Sequence, residues 1–161
     1  MDVLQLALDM ELEGERYYRR QSEKYATTPL ETVFDVLAKD EAKHAGILRS
    51  KIEGEAFERK ANERRADSKS LFSGLQDYKP SVEEIPDQAE LYHAALEMEQ
   101  RSIDLYADLR SKADDIQLRP LFDFLVQEET RHHQILEDVF RFVNRPNEWV
   151  EAAEFGLREE Y

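Results

Sequence analysis

The 161-residue sequence contains no cysteine. Disulfides, zinc-thiolate sites and thiolate-bound iron centres are therefore excluded within the chain, and redox chemistry leaves the compartment open. Glycine and proline are scarce, five of each, and few segments look like strands, which favours long helices over sheets. Basic residues are in the minority, 22 Lys and Arg against 36 Asp and Glu, for a net charge of −14. A nucleic acid or an anionic membrane surface wants the opposite balance, so neither is expected as a partner. Long hydrophobic runs are missing too. Mean hydropathy is −0.72, and the amino-terminal MDVLQLALDMELEGE lacks a basic segment and has its apolar run broken by Gln5 and Asp9. It reads as neither signal peptide nor membrane span, and a cytoplasmic location is expected.

What the chain does have is helical periodicity. Residues 2–25 carry the stripe Leu4, Leu8, Glu11, Gly14, Tyr18, Tyr25, and Thr27-Thr28-Pro29 ends that helix. A second helix starts with Thr28 as cap, Pro29 in the first helical position and Glu31 closing a capping box; its stripe is Leu30, Phe34, Leu37, Glu41, His44, Leu48, Ile52, with a polar pattern running on to about Ala66. Periodicity fails over residues 68–88, which read as a crossover connection with one short helical turn. A third helix is expected over 88–112, with Leu91, Ala95, Glu99, Ser102, Tyr106 and Leu109 on one face. After a turn at Lys112-Ala113-Asp114-Asp115, the fourth presents Leu121, Leu125, Glu129, His132, Leu136, Val139 and Val143, with Pro120 in its first turns. The expectation is an all-α, antiparallel four-helix bundle over residues 1–145 and a tail over 146–161. In that tail Asn147 caps a short helix, and Trp149 and Phe155 dock on the bundle or on a partner subunit.

A shift of 88 residues superimposes the two helix pairs without a gap. ALDMELEGERYY lies over ALEMEQRSIDLY and FDVLAKDEAKHAGIL over FDFLVQEETRHHQIL, so each half repeats one helical hairpin. Duplication explains why Leu, Ile and Phe recur, because they form the core. It does not explain Glu and His recurring on the core face, where a buried carboxylate costs several kcal/mol unless paired or metal-bound. Each half has one stripe Glu and, 30 residues later, a Glu-x-x-His: Glu11 with Glu41 and His44, Glu99 with Glu129 and His132. Residues i and i+3 share a helix face, so an antiparallel bundle brings four carboxylates and two imidazoles to one level. No Lys or Arg lies on those stripes at that level. Four carboxylates balance two divalent cations, and an oxygen-rich set with one His per metal suits iron or manganese better than zinc.

This ligand set resembles the dinuclear carboxylate site of ferritin-like bundles. Gly14, one turn beyond Glu11, then leaves space beside the metals, as does Ser102 at the matching position. Tyr18 and Tyr106 follow their stripe Glu by seven residues; each either orients a ligand carboxylate from outside the site or serves as aromatic core with a solvent-reaching tip. Asp40 and Glu128 precede His44 and His132 by four residues and can accept a proton from an imidazole nitrogen, with solvated surface the other reading for Glu128. Glu15 reads as a rim carboxylate, and His93 and His133, which have no partner under the repeat, as exposed.

The motif set, with EGERYY and the matching SIDLY, resembles the rubrerythrin branch of the ferritin-like superfamily over roughly residues 2–143. The resemblance implies two iron ions bridged by Glu41 and Glu129, with Glu11 and Glu99 as terminal ligands and His44 and His132 each holding one iron. It also implies reduced iron reacting with peroxide or dioxygen, and a homodimer. Two features depart from it. Rubrerythrins proper carry a Cys-rich domain that feeds electrons to the site, so here the donor must be another protein or a small reductant. They also have an extra carboxylate one turn after the third helix's Glu, where this chain has Ser102. Three functions stay open: a di-iron oxidoreductase, an iron-handling protein of ferroxidase type, and a bundle stapled by metal.

Overall fold

Asp2 opens the first helix, α1 (Val3–Lys24), by accepting a hydrogen bond from the backbone N–H of Leu4 at 3.0 Å. The helix ends at a tight turn in which Thr27 takes φ +69°. Thr28 then caps α2 (Pro29–Ile52), its Oγ1 accepting from Leu30 N at 3.2 Å, with Pro29 in the first helical position. The capping box expected at Thr28 is displaced by one residue. Glu31 Oε2 accepts from Thr27 N at 2.8 Å, because Thr28 N is already bonded to Tyr25 O.

The second helix also stops earlier than its polar pattern suggests, at Ile52 rather than near Ala66. Gly54 adopts φ +91°, its N–H bonds to Lys51 O, and Glu55 N bonds to Ser50 O. These are the two bonds of a Schellman stop, which needs a residue that tolerates positive φ. The third helix, α3 (Ile85–Lys112), begins three residues before the expected 88, with Pro86 in its first turn, where a missing N–H costs nothing. The fourth, α4 (Leu118–Val143), starts with Pro120 as its third residue.

The computed structural model describes residues 2–58, 71, 74–76, 78, 80 and 85–144. The tail over 146–161, with Trp149 and Phe155, and the stretch from 59 to Ala66 lie outside the described residues. Of the expected connection, Leu71 and Leu75 are buried in the core. All regular structure among the described residues is helical; α1 packs on α2, α3 on α4, and α1 meets α3 across the bundle. No helix among them is long and apolar enough to cross a membrane.

The core has two apolar clusters. One gathers Tyr18, Phe34, Leu37, Tyr92, Leu136 and Val139 with their neighbours; the other gathers Leu8, Leu48, Tyr106, Leu121, Phe122 and Leu125. The buried polar and charged residues Glu11, Glu41, His44, Glu99, Glu129 and His132 lie on the same helix faces as these clusters. Of the predicted stripes only Ile52, at the end of α2, is exposed.

Candidate metal centre

Each helix contributes to the polar layer through its own stripe, and all six stripe residues expected as ligands are at most 3% exposed. The structure brings them together in two groups. Glu11, Glu41, His44 and Glu129 present ligand atoms within 4.8 Å of one another, and so do Glu41, Glu99, Glu129 and His132. Glu41 and Glu129 belong to both. His44 Nδ1 lies 3.0 Å from Glu129 Oε1 and 3.4 Å from Glu11 Oε2. His132 Nδ1 lies 3.0 Å from Glu41 Oε1 and 3.4 Å from Glu99 Oε1. The two rings stack with centroids 5.7 Å apart.

The midhelix glycine has a local reason. A Cβ on Gly14 would sit 3.4 Å from both Cδ and Oε2 of Glu41, so the bare backbone leaves open the space beside that carboxylate on the α1 side. Its repeat mate Ser102 turns its hydroxyl back to donate to Met98 O at 3.2 Å.

The tyrosines act across the repeat. Tyr106 on α3 donates to Glu11 Oε1 on α1 at 2.5 Å, and Tyr18 on α1 donates to Glu99 Oε1 on α3. Both rings are fully buried, which rules out a solvent-reaching tip. Burial and the adjacent carboxylates, Glu99 for Tyr18 and Glu11 for Tyr106, push both hydroxyls well above the usual range, so they remain donors.

Asp40 and Glu128 do serve the imidazoles, but across helices rather than along them. His132 Nε2 is 3.0 Å from Asp40 Oδ2, and His44 Nε2 is 3.4 Å from Glu128 Oε1. Glu128 is buried, which removes the solvated-surface reading. Glu15 pairs with Arg19 at 3.0 Å on the rim; His93 is exposed against Phe140, whereas His133 is half-buried beside Glu137. Sequence reasoning missed Arg131, which reaches both Asp40 and Glu128. It neighbours His132 off the stripe; Glu128 lies three residues before it on the same helix, whereas Asp40 reaches it only where α2 meets α4.

Electrostatics shows how far this layer is from a satisfied core. Burial, then the charges of Glu11 and Glu99, raise Glu41 to about 8; burial and Glu129 raise Glu99 to about 8. Burial also works to raise Glu11, but contact with Glu41 and the charge of His44 bring it down to about 2. Burial favours neutral imidazoles, and the surrounding carboxylates, led by Glu11 for His44 and Glu99 for His132, overcome it and raise both. Glu11 Oε2 and Glu99 Oε2 are buried and accept no hydrogen bond, a costly arrangement for carboxylates. A cation between the groups would satisfy those oxygens, and the oxygen-rich donor set fits a hard or borderline metal.

A rubrerythrin family model matches residues 2–151. The chain belongs to the rubrerythrin family. No curated protein and no solved structure matches it. Iron binding is typical of rubrerythrins, and this member has a buried Glu/His cluster able to hold metal.

Proposed function

We propose that this rubrerythrin-family chain is a non-haem di-iron carboxylate protein, with manganese the alternative metal, that reacts with peroxide or dioxygen. The observation that carries the reading is the membership of Glu41 and Glu129 in both ligand groups, as expected of carboxylates shared by two ions. Bound iron would supply Lewis acidity and electrons to the oxidant. The chain's own residues do the rest. Glu41 and Glu129 would be shared by the two ions, Glu11 with His44 and Glu99 with His132 would complete the two sets, and Tyr18 and Tyr106 hold Glu99 and Glu11 in place. The apolar clusters keep bulk water from the layer. Electrons for turnover come from outside these residues, which include no thiolate for a second iron centre.

The second reading, a ferroxidase that oxidises and hands on iron, is favoured by one feature. Ser102 stands where rubrerythrins proper have an extra carboxylate, and its hydroxyl is engaged with Met98 O, so the two half-sites have equivalent ligands. Anaerobic titration with ferrous iron tests the shared basis, with two ions expected per chain and pair binding lost in Glu41→Ala or Glu129→Ala. Fewer than one ion per chain would reject it. Stopped-flow oxidation then separates the readings: faster reaction with peroxide and repeated turnover with a reductant support the oxidoreductase, while faster reaction with dioxygen and retained ferric iron supports the ferroxidase. Pairing into a homodimer belongs to the same proposal, and a monomer in sedimentation at micromolar concentration would reject it.

A further inference from the structure

Arg131 lies outside the ligand layer and touches both halves of it. Its Nη2 is 2.7 Å from Asp40 Oδ2 on α2, and its Nε is 3.4 Å from Glu128 Oε2 on its own helix. Those carboxylates in turn face the outer nitrogens of His132 and His44, at 3.0 and 3.4 Å. One guanidinium, its side chain 19% exposed, therefore links the two imidazoles through their outer partners.

We propose that Arg131 is a positioning residue that sets both imidazoles at once, its one guanidinium linking the two half-sites through Asp40 and Glu128. This rests on the di-metal reading. An imidazole bound to metal through Nδ1 is oriented by what its Nε2–H meets, and losing such a partner typically weakens metal binding about 10- to 100-fold. Asp40 serves one imidazole and Glu128 the other, and without a cation between them two like charges would share one stretch of the α2–α4 interface. Arginine suits the task because its planar fork reaches two carboxylates in different directions, which a lysine ammonium does less well. The position related to Arg131 by the repeat is Lys43.

The test is cobalt(II) titration of the metal-free chain, followed by visible absorption, with melting of the metal-free proteins as the control for fold. Asp40→Asn is expected to weaken one of the two ions about 10- to 100-fold and Glu128→Gln the other. Arg131→Gln should weaken both, and Arg131→Lys both to a lesser degree. The exchange K43R/R131K places the guanidinium at the repeat-related position, 43, and should restore tight binding of the pair, a rescue that loss of mere packing would not give. A wild-type chain that takes up no cobalt overturns the di-metal reading and this inference with it. A wild type that binds two ions, with Arg131→Gln and Arg131→Lys equal to it in both steps, overturns the inference alone.

Discussion

Gly14 sits in the middle of α1, where glycine costs about 1 kcal/mol relative to alanine. Its open side faces Glu41, and an added methyl would meet that carboxylate at 3.4 Å, an ordinary contact. Gly14→Ala should therefore fold, raise the stability of the metal-free chain by roughly 0.5–1 kcal/mol, and slow oxidation of the ferrous protein by confining Glu41. Denaturant unfolding and stopped-flow absorbance check the two halves of this. A variant that is more stable and oxidised as fast as wild type would show that Glu41 has no need of the space. The residue scale is also where sequence reading was strongest. Four Glu and two His repeating on an apolar face have no explanation in packing, whereas Arg131 and the crossed partners of Tyr18, Tyr106, Asp40 and Glu128 depend on how separate helices meet.

The turn between α1 and α2 concentrates strain at one position. Thr27 is exposed and takes φ +69°, a left-handed conformation that a β-branched residue adopts only at a cost of about 1–2 kcal/mol. Its backbone N–H bonds to Glu31, a contact any residue but proline keeps. Thr27→Gly should stabilise the chain by up to about 1 kcal/mol, after allowing for glycine's greater freedom in the unfolded state. A lower melting temperature would contradict this. Element boundaries were legible where side chains write them, as at Asp2 and Thr28. They were not legible where backbone conformation decides: Gly54 sits inside a polar pattern that continues past it, and only its positive φ and the two bonds closing over it stop α2 at Ile52. The start of α3 was obscured because Pro86 breaks a helix pattern in most positions but not in a first turn.

For the whole molecule, the protonation of the polar layer sets how stability follows pH. Glu41 and Glu99 rise from an ordinary 4.5 to about 8; the stability tied to their protons is complete below 4.5 and lost as pH rises through 8. His44 and His132, raised above 6.5, act in the same direction. Glu11 and Glu128, lowered from 4.5 to about 2, contribute above 4.5 and lose that contribution as pH falls through 2. The metal-free chain should therefore be most stable in mild acid, with a melting midpoint that falls between about pH 5 and pH 9. Metal competes with those protons for the same atoms, so the loaded chain should show the opposite trend. Calorimetry with chelator and with ferrous iron under argon would decide it; a midpoint that climbs with pH in chelator would contradict the protonation pattern.

The crossed contacts of the layer have a further consequence. Tyr18 serves Glu99 as Tyr106 serves Glu11, His44 faces Glu128 as His132 faces Asp40, and in each pair the donor's partner lies in the other half. Such a joint is isologous, the kind that a two-fold axis generates between identical subunits. It is the joint expected of a hairpin that once met a copy of itself. Joining the copies in one chain lets each diverge alone, and Gly14 opposite Ser102, like Arg131 opposite Lys43, are differences that no symmetric pair of identical hairpins could hold.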